Sequence, residues 1–228
     1  MGSAFWKLKD AMIVLAINLV AGFVVADLFI KPGLSRMGLS SLEAGTIGGM
    51  FLAVVAFATV YLWGVRKYSI SWKVIGIFNA KKIIQHKKMI LLYTFGALIV
   101  SLLLLFAMYS IIGVSPNSRS NAVDDTYLFA ILLAVFSSVI VSPIYEEVLY
   151  RGFIYPTLRN RFGVKKAIVF SALIFSLVHL PSIDILPVNF VNGLVFAILY
   201  ERTNSIYVPM VAHALFNLSL MTLVYLVS

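Results

Sequence analysis

MILLYTFGALIVSLLLLFAMYSIIGV, residues 89–114, runs for 26 positions without one charged side chain. An α-helix of that length rises about 39 Å, more than the ~30 Å hydrocarbon core of a bilayer. In water such a helix would need burial on every side. In lipid it needs only to satisfy its own backbone, which a helix does internally. The same pattern recurs along the chain, in apolar runs at 11–30, 46–65, 89–114, 127–145, 167–180, 185–200 and 206–227. The first three and the last reach the ~20 residues that a span requires, and the fourth is marginal. The fifth and sixth are short and are joined by Pro181-Ser182-Ile183-Asp184. Non-helical backbone at membrane depth needs protein or a wet cavity around it, so this pair predicts an internal cavity.

Composition agrees. Hydrophobic residues make up 61% of the 228 positions and charged residues 12%, and the mean hydropathy is +1.00. A soluble domain carries about 25% charged residues, so there is too little charge here to coat a water-facing surface. The expected fold is an all-α, polytopic transmembrane helical bundle of about seven segments, multi-pass in the cell membrane. It reads as one structural domain in two parts. Residues 1–126 supply N-terminal helices and a basic loop, and residues 127–228 form a core that holds the informative motifs. The first run suits a retained span better than a cleaved signal.

There are no cysteines, which excludes disulfides, thiol nucleophiles and cysteine-based zinc sites. The net charge of +9 is explained by cytoplasmic loops rather than by nucleic acid. With seven crossings and a cytoplasmic N-terminus, fifteen lysines and arginines fall inside and three (Lys31, Arg36 and Arg119) fall outside. That asymmetry predicts the N-in orientation. The loop Arg66–Lys88 mixes bases with Trp72, Ile75, Ile77 and Phe78. It reads either as a segment on the anionic inner leaflet or as a solvated loop. His86 reads as a solvated residue of that loop.

Ionisable residues within membrane segments are costly and default to functional candidates. Glu146 and Glu147 end the fourth run, His179 ends the fifth, and His213 and Asn217 share a face of the seventh. Glu147 and Arg151 are four apart and can pair along a helix, which makes Glu147 a structural ion pair. Glu146 points about 100° away and is the candidate base. Arg161-Phe162-Gly163-Val164 looks like a turn between two antiparallel helices. Positions 146 and 179 are equidistant from it, which puts both side chains at one depth, about 25 Å from the turn. The helical pair then projects beyond the bilayer, and Pro156 threatens to kink it. Pro143, Pro181 and Pro209 lie within four residues of Glu146, His179 and His213, where each can open a backbone carbonyl.

One carboxylate, two imidazoles and a carboxamide suit amide hydrolysis. Glu146 would take a proton from water that His179 helps to position. His213 and Asn217 would donate to the oxyanion. No serine is clearly placed beside a base, which disfavours an acyl-enzyme. A metal version stays open: Glu146, His179 and His213 would hold one divalent ion such as zinc, with Glu147 as the base. The soluble zinc motif His-Glu-x-x-His is absent. The cofactor is thus one such metal or none.

At these residues the chain resembles the CPBP family of intramembrane proteases. That family includes CAAX-prenyl endopeptidases and bacterial proteins named for abortive infection and bacteriocin immunity. Glu146, Glu147 and Arg151 match its Glu-Glu-x-x-x-Arg motif. Phe175 and His179 match Phe-x-x-x-His, and His213 and Asn217 match His-x-x-x-Asn. The three occur in order within about 127–220. The resemblance implies a site inside the membrane, open toward the cytoplasm, where Glu146 and His179 activate water and His213 and Asn217 stabilise the oxyanion. It implies either metal-dependent or metal-free glutamate chemistry on a hydrophobic or membrane-associated peptide, in a bacterium. Expected partners are that peptide and membrane lipid, with no nucleic acid. Two other readings stand beside it: a non-catalytic immunity or scaffold protein that keeps the pocket, and a proton-coupled transporter. No inverted repeat of the transporter type is present.

Overall fold

In the computed structural model of the chain, residues 6–77, 80–112 and 128–227 are described. They form eight helices and, among the described residues, no strand. The helices are α1 (Leu8–Arg36), α2 (Ser41–Arg66), the short α3 (Lys81–Gln85), α4 (Lys87–Ile112), α5 (Leu128–Phe162), α6 (Val164–Leu177), α7 (Leu186–Thr203) and α8 (Tyr207–Val227). The expected part boundary at 126/127, Arg119 and Phe78 lie outside the described residues.

Among the described residues five helices are long and apolar enough to cross a membrane: α1, α2, α4, α5 and the segment Ile183–Thr203 that contains α7. The other two of the seven runs become α6, only 14 residues and about 21 Å long, and α8, whose apolar stretch is Tyr207–Leu223. The count of seven is therefore approximate, because run length on its own does not separate short helices from spans. The outward faces are apolar. On α4, Leu92 and Phe106 are 70% and 71% exposed, an arrangement that lipid tolerates and water penalises.

Wide i→i+5 turns occupy Val20–Ile30, Val60–Arg66, Ser137–Val141 and Val148–Ile154. Three of them end one residue before the residue that precedes a proline, at Pro32, Pro143 and Pro156. Proline lacks an N–H and its ring crowds the preceding turn. Widening that turn lets the helix continue. Pro156 does not end the helix, and α5 runs for 35 residues. That is about 52 Å, well beyond the bilayer core.

The predicted turn after α5 forms as read. Gly163 adopts φ +76, where a side chain is disfavoured, and its N–H bonds the Arg159 carbonyl at 3.0 Å. α6 then packs back along α5 and against α7. At one end of the bundle, the Trp6 indole N–H donates to the Gly64 carbonyl at 3.0 Å, and Lys67 pairs with buried Asp10 at 2.6 Å. The Lys82 ammonium donates to the Thr203 carbonyl. Arg159 grips both Glu201 oxygens, with its closest contact at 2.8 Å. The basic loop is neither wholly solvated nor merely laid on a surface. Ile75 is fully buried and lies against Gly152, which also meets Ile206. Trp72 stacks on Tyr61 with centroids 6.4 Å apart, and His86 is half-buried.

Candidate active site

α5 presents Ser142, Glu146 and Arg151 at successive turns, and α8 presents His213 and Asn217 one turn apart. Glu147 and Arg151 pair at 2.9 Å and both are fully buried. The Arg151 guanidinium also donates to the Gly193 carbonyl on α7 at 3.2 Å. It sits over the rings of Phe175 and Phe196, at 4.4 and 5.2 Å. A buried charge needs this many partners to offset its desolvation.

His213 lies between the two glutamates. Its Nδ1 is 3.1 Å from Glu147 Oε1, and its Nε2 is 4.0 Å from Glu146 Oε2. A carboxylate that already accepts from Arg151 accepts again from an imidazole N–H, so Nδ1 is the donor and Nε2 is aimed at Glu146. The ring stacks on Phe196 with centroids 4.6 Å apart. Glu147 is thus not an Arg151 partner alone; it also orients His213, from a position 66 residues away in sequence.

Glu146 is 7% exposed. Its Oε1 accepts from the Ser142 hydroxyl. Its Oε2 is buried without a hydrogen-bond partner among the described residues. A serine therefore does stand beside the candidate base, contrary to the sequence expectation. The i,i+4 spacing of Ser142 and Glu146 was the available signal. Phe196 and Gly193 were also missed, because nothing local marks an aromatic or a glycine on a membrane helix as part of a site.

His179 lies just past the end of α6 and is half-buried. Its Nδ1 is 2.7 Å from the Phe175 carbonyl. A carbonyl only accepts, so Nδ1 carries a proton toward it. His179 joins the cluster through Phe175, whose ring lies 5.2 Å from that of His179 and 5.9 Å from that of His213.

Asn217 donates to the Ser138 carbonyl at 2.8 Å, and the backbone explains why that oxygen is available. In the wide turn the Ser142 N–H bonds Ser137 instead of Ser138. The next residue, Pro143, has no N–H to offer.

Zinc needs donors that converge within about 2.0–2.2 Å of one point. Among the described residues no three His, Asp or Glu side chains form such a group. The side chains of Glu146, His179 and His213 do not converge as a metal's ligands would in this arrangement.

Comparison with known proteins points the same way as the motifs. Residues 128–219 match the family model described as type II CAAX prenyl endopeptidase Rce1-like. The protein of Bacillus subtilis (strain 168) named "Putative membrane peptidase YdiL" is 32% identical over 109 residues, which cover 48% of this chain and 44% of that one. The membrane-embedded CAAX protease MroQ of Staphylococcus aureus (strain USA300) is 27% identical over 158 residues, covering 67% of this chain and 57% of that one. The chain thus spans about half the length of the curated relatives it matches. No solved structure matches it significantly. Through residues 128–219, where the motif residues lie on α5, just past α6 and on α8, the chain is thus similar to the Rce1-like CAAX protease family.

Proposed function

We propose that this protein is an intramembrane endopeptidase that hydrolyses a peptide bond of a hydrophobic or membrane-associated substrate with glutamate-activated water. The observation that carries this reading is the buried Glu146 Oε2, without a partner among the described residues and 4.0 Å from His213 Nε2. A carboxylate buried at membrane depth is costly and marks a functional candidate.

In the proposed step Glu146 Oε2 takes a proton from water while the water oxygen bonds to the scissile carbonyl carbon. The carbonyl π electrons move to oxygen and form the oxyanion. As the tetrahedral intermediate collapses, the C–N bond breaks and the proton passes from Glu146 to the departing amine. His179 offers Nε2 to orient the attacking water. His213, oriented by Glu147 through Nδ1, presents Nε2 toward the oxyanion. Asn217 holds the Ser138 carbonyl with one amide hydrogen and has a second for the oxyanion. Glu147, Arg151 and Phe175 keep this set in register. The family description supports testing both prenylated and unmodified tails.

The test is cleavage by the purified chain in detergent or vesicles, with a prenylated C-terminal peptide and a transmembrane peptide as substrates. Wild type should cleave at least one, and Glu146→Gln should lose at least about 10³-fold in turnover. Turnover retained in a folded Glu146→Gln removes the base assignment. No turnover by wild type on any membrane peptide supports the non-catalytic scaffold reading instead.

A further inference from the structure

A serine or threonine on a helix usually gives its hydroxyl proton to a carbonyl one turn back. In this chain Thr59, Ser138, Thr157, Thr203 and Thr222 all do so. Ser142 does the opposite and donates forward to Glu146 Oε1. The carbonyl it would otherwise use is that of Ser138, and Asn217 from α8 already donates to it at 2.8 Å. The wide turn and Pro143 are what leave that carbonyl to Asn217. A chain of contacts therefore runs from Asn217 to the Ser138 carbonyl, past Ser142, to one oxygen of Glu146. The other oxygen faces His213.

We propose that Ser142 is a positioning residue: it occupies Glu146 Oε1 and so reserves Oε2 as the oxygen that takes the proton from the attacking water. The inference rests on the endopeptidase reading for its consequence, and on the Ser142–Glu146 contact for its geometry. Without the hydroxyl, the carboxylate can rotate about its last bond and present either oxygen to either neighbour. The aimed conformer then becomes a fraction of the population, and turnover falls by that fraction. Substrate binding does not involve Ser142 and is unaffected.

Two measurements on the full chain in detergent test this. The first is kinetics. Ser142→Ala lowers kcat by about 10- to 100-fold, as expected for a lost hydrogen bond to a charged group. KM stays within about twofold, the mark of a group that acts on the reacting atoms rather than on substrate binding. Ser142→Thr, which keeps the hydroxyl, recovers kcat to within about threefold of wild type. An unchanged kcat in Ser142→Ala, or a loss carried wholly by KM, overturns the proposal. The second is infrared difference spectroscopy, with the Glu146 carboxyl band assigned by subtracting Glu146→Gln. That band moves in Ser142→Ala and returns in Ser142→Thr; a band that stays put overturns the contact itself. Wild type that cleaves nothing yet shows the band shift defeats the endopeptidase reading and the proton-transfer role, and leaves only the contact. Thermal melting of each variant identifies any loss that comes from unfolding.

Discussion

At the scale of single residues, the Arg151–Glu147–His213 group explains why one charge pair buried in a membrane helix is tolerated. Arg151 has Glu147, the Gly193 carbonyl and two aromatic faces around it, which offset part of its desolvation, while its Nε is buried without a hydrogen-bond partner among the described residues. Removing one partner leaves the other charge buried and alone. Arg151→Met should therefore destabilise the fold by about 3–5 kcal/mol, read as a lower midpoint in detergent unfolding. Adding Glu147→Gln should recover part of that loss, because a neutral amide needs no counter-ion. If the double variant is no more stable than the single one, the charge account fails and packing of the guanidinium is the cause. The half of this group that lies along one helix was readable as an i,i+4 spacing. The half contributed by His213 was not, because it depends on α8 lying beside α5.

At the scale of elements, the close contact between α6 and α7 depends on a glycine. Gly193 faces α6 so closely that an ideal Cβ would lie 2.7 Å from the Ala172 Cα. The obstacle is backbone, which cannot swing aside as a side chain does. Small residues allow this approach where helices associate in lipid. Gly193→Val should push the helices apart and cost about 1–3 kcal/mol. It should also lower activity, because the Gly193 carbonyl is an Arg151 acceptor. Paired melting curves and cleavage assays check this, and an unchanged melting midpoint would show that the helices separate at no cost. Proline placement belongs to the same scale. The sequence predicted that prolines near the candidate residues would open carbonyls, and Pro143 does so for Ser138. At Pro156, where a kink was expected, the helix continues after a wide turn at 148–154.

At the scale of the whole molecule, basic side chains from separate segments collect at one end. Lys67, Lys82 and Arg159 each tie a helix terminus to a neighbour there. The hydrogen bond to the Asp10 carboxylate raises the Lys67 ammonium above the usual lysine range, so Lys67 stays positively charged throughout physiological pH. Positive ends remain cytoplasmic. The chain has no cysteine, so single substitutions report topology directly. Lys81→Cys and Arg36→Cys are both at exposed positions. The first should react with an impermeant thiol reagent only after cells are opened, and the second in intact cells. The reverse pattern would invert the orientation.

The sequence by itself determined the solvent, the helical class and the order of the motif residues. Those follow from composition and from spacings within single helices, which hydrophobicity and the 3.6-residue repeat dictate locally. It also located the turn at Gly163, because two antiparallel helices must fold at a residue that accepts positive φ. Only the tertiary structure decided that His213 bridges both glutamates, that Phe196 stacks on it, that Asn217 meets the carbonyl left by Pro143, and that Ile75 closes the basic end. Each of these joins segments far apart in the chain. Such contacts are set by how helices pack side by side, a geometry that no run of residues encodes alone.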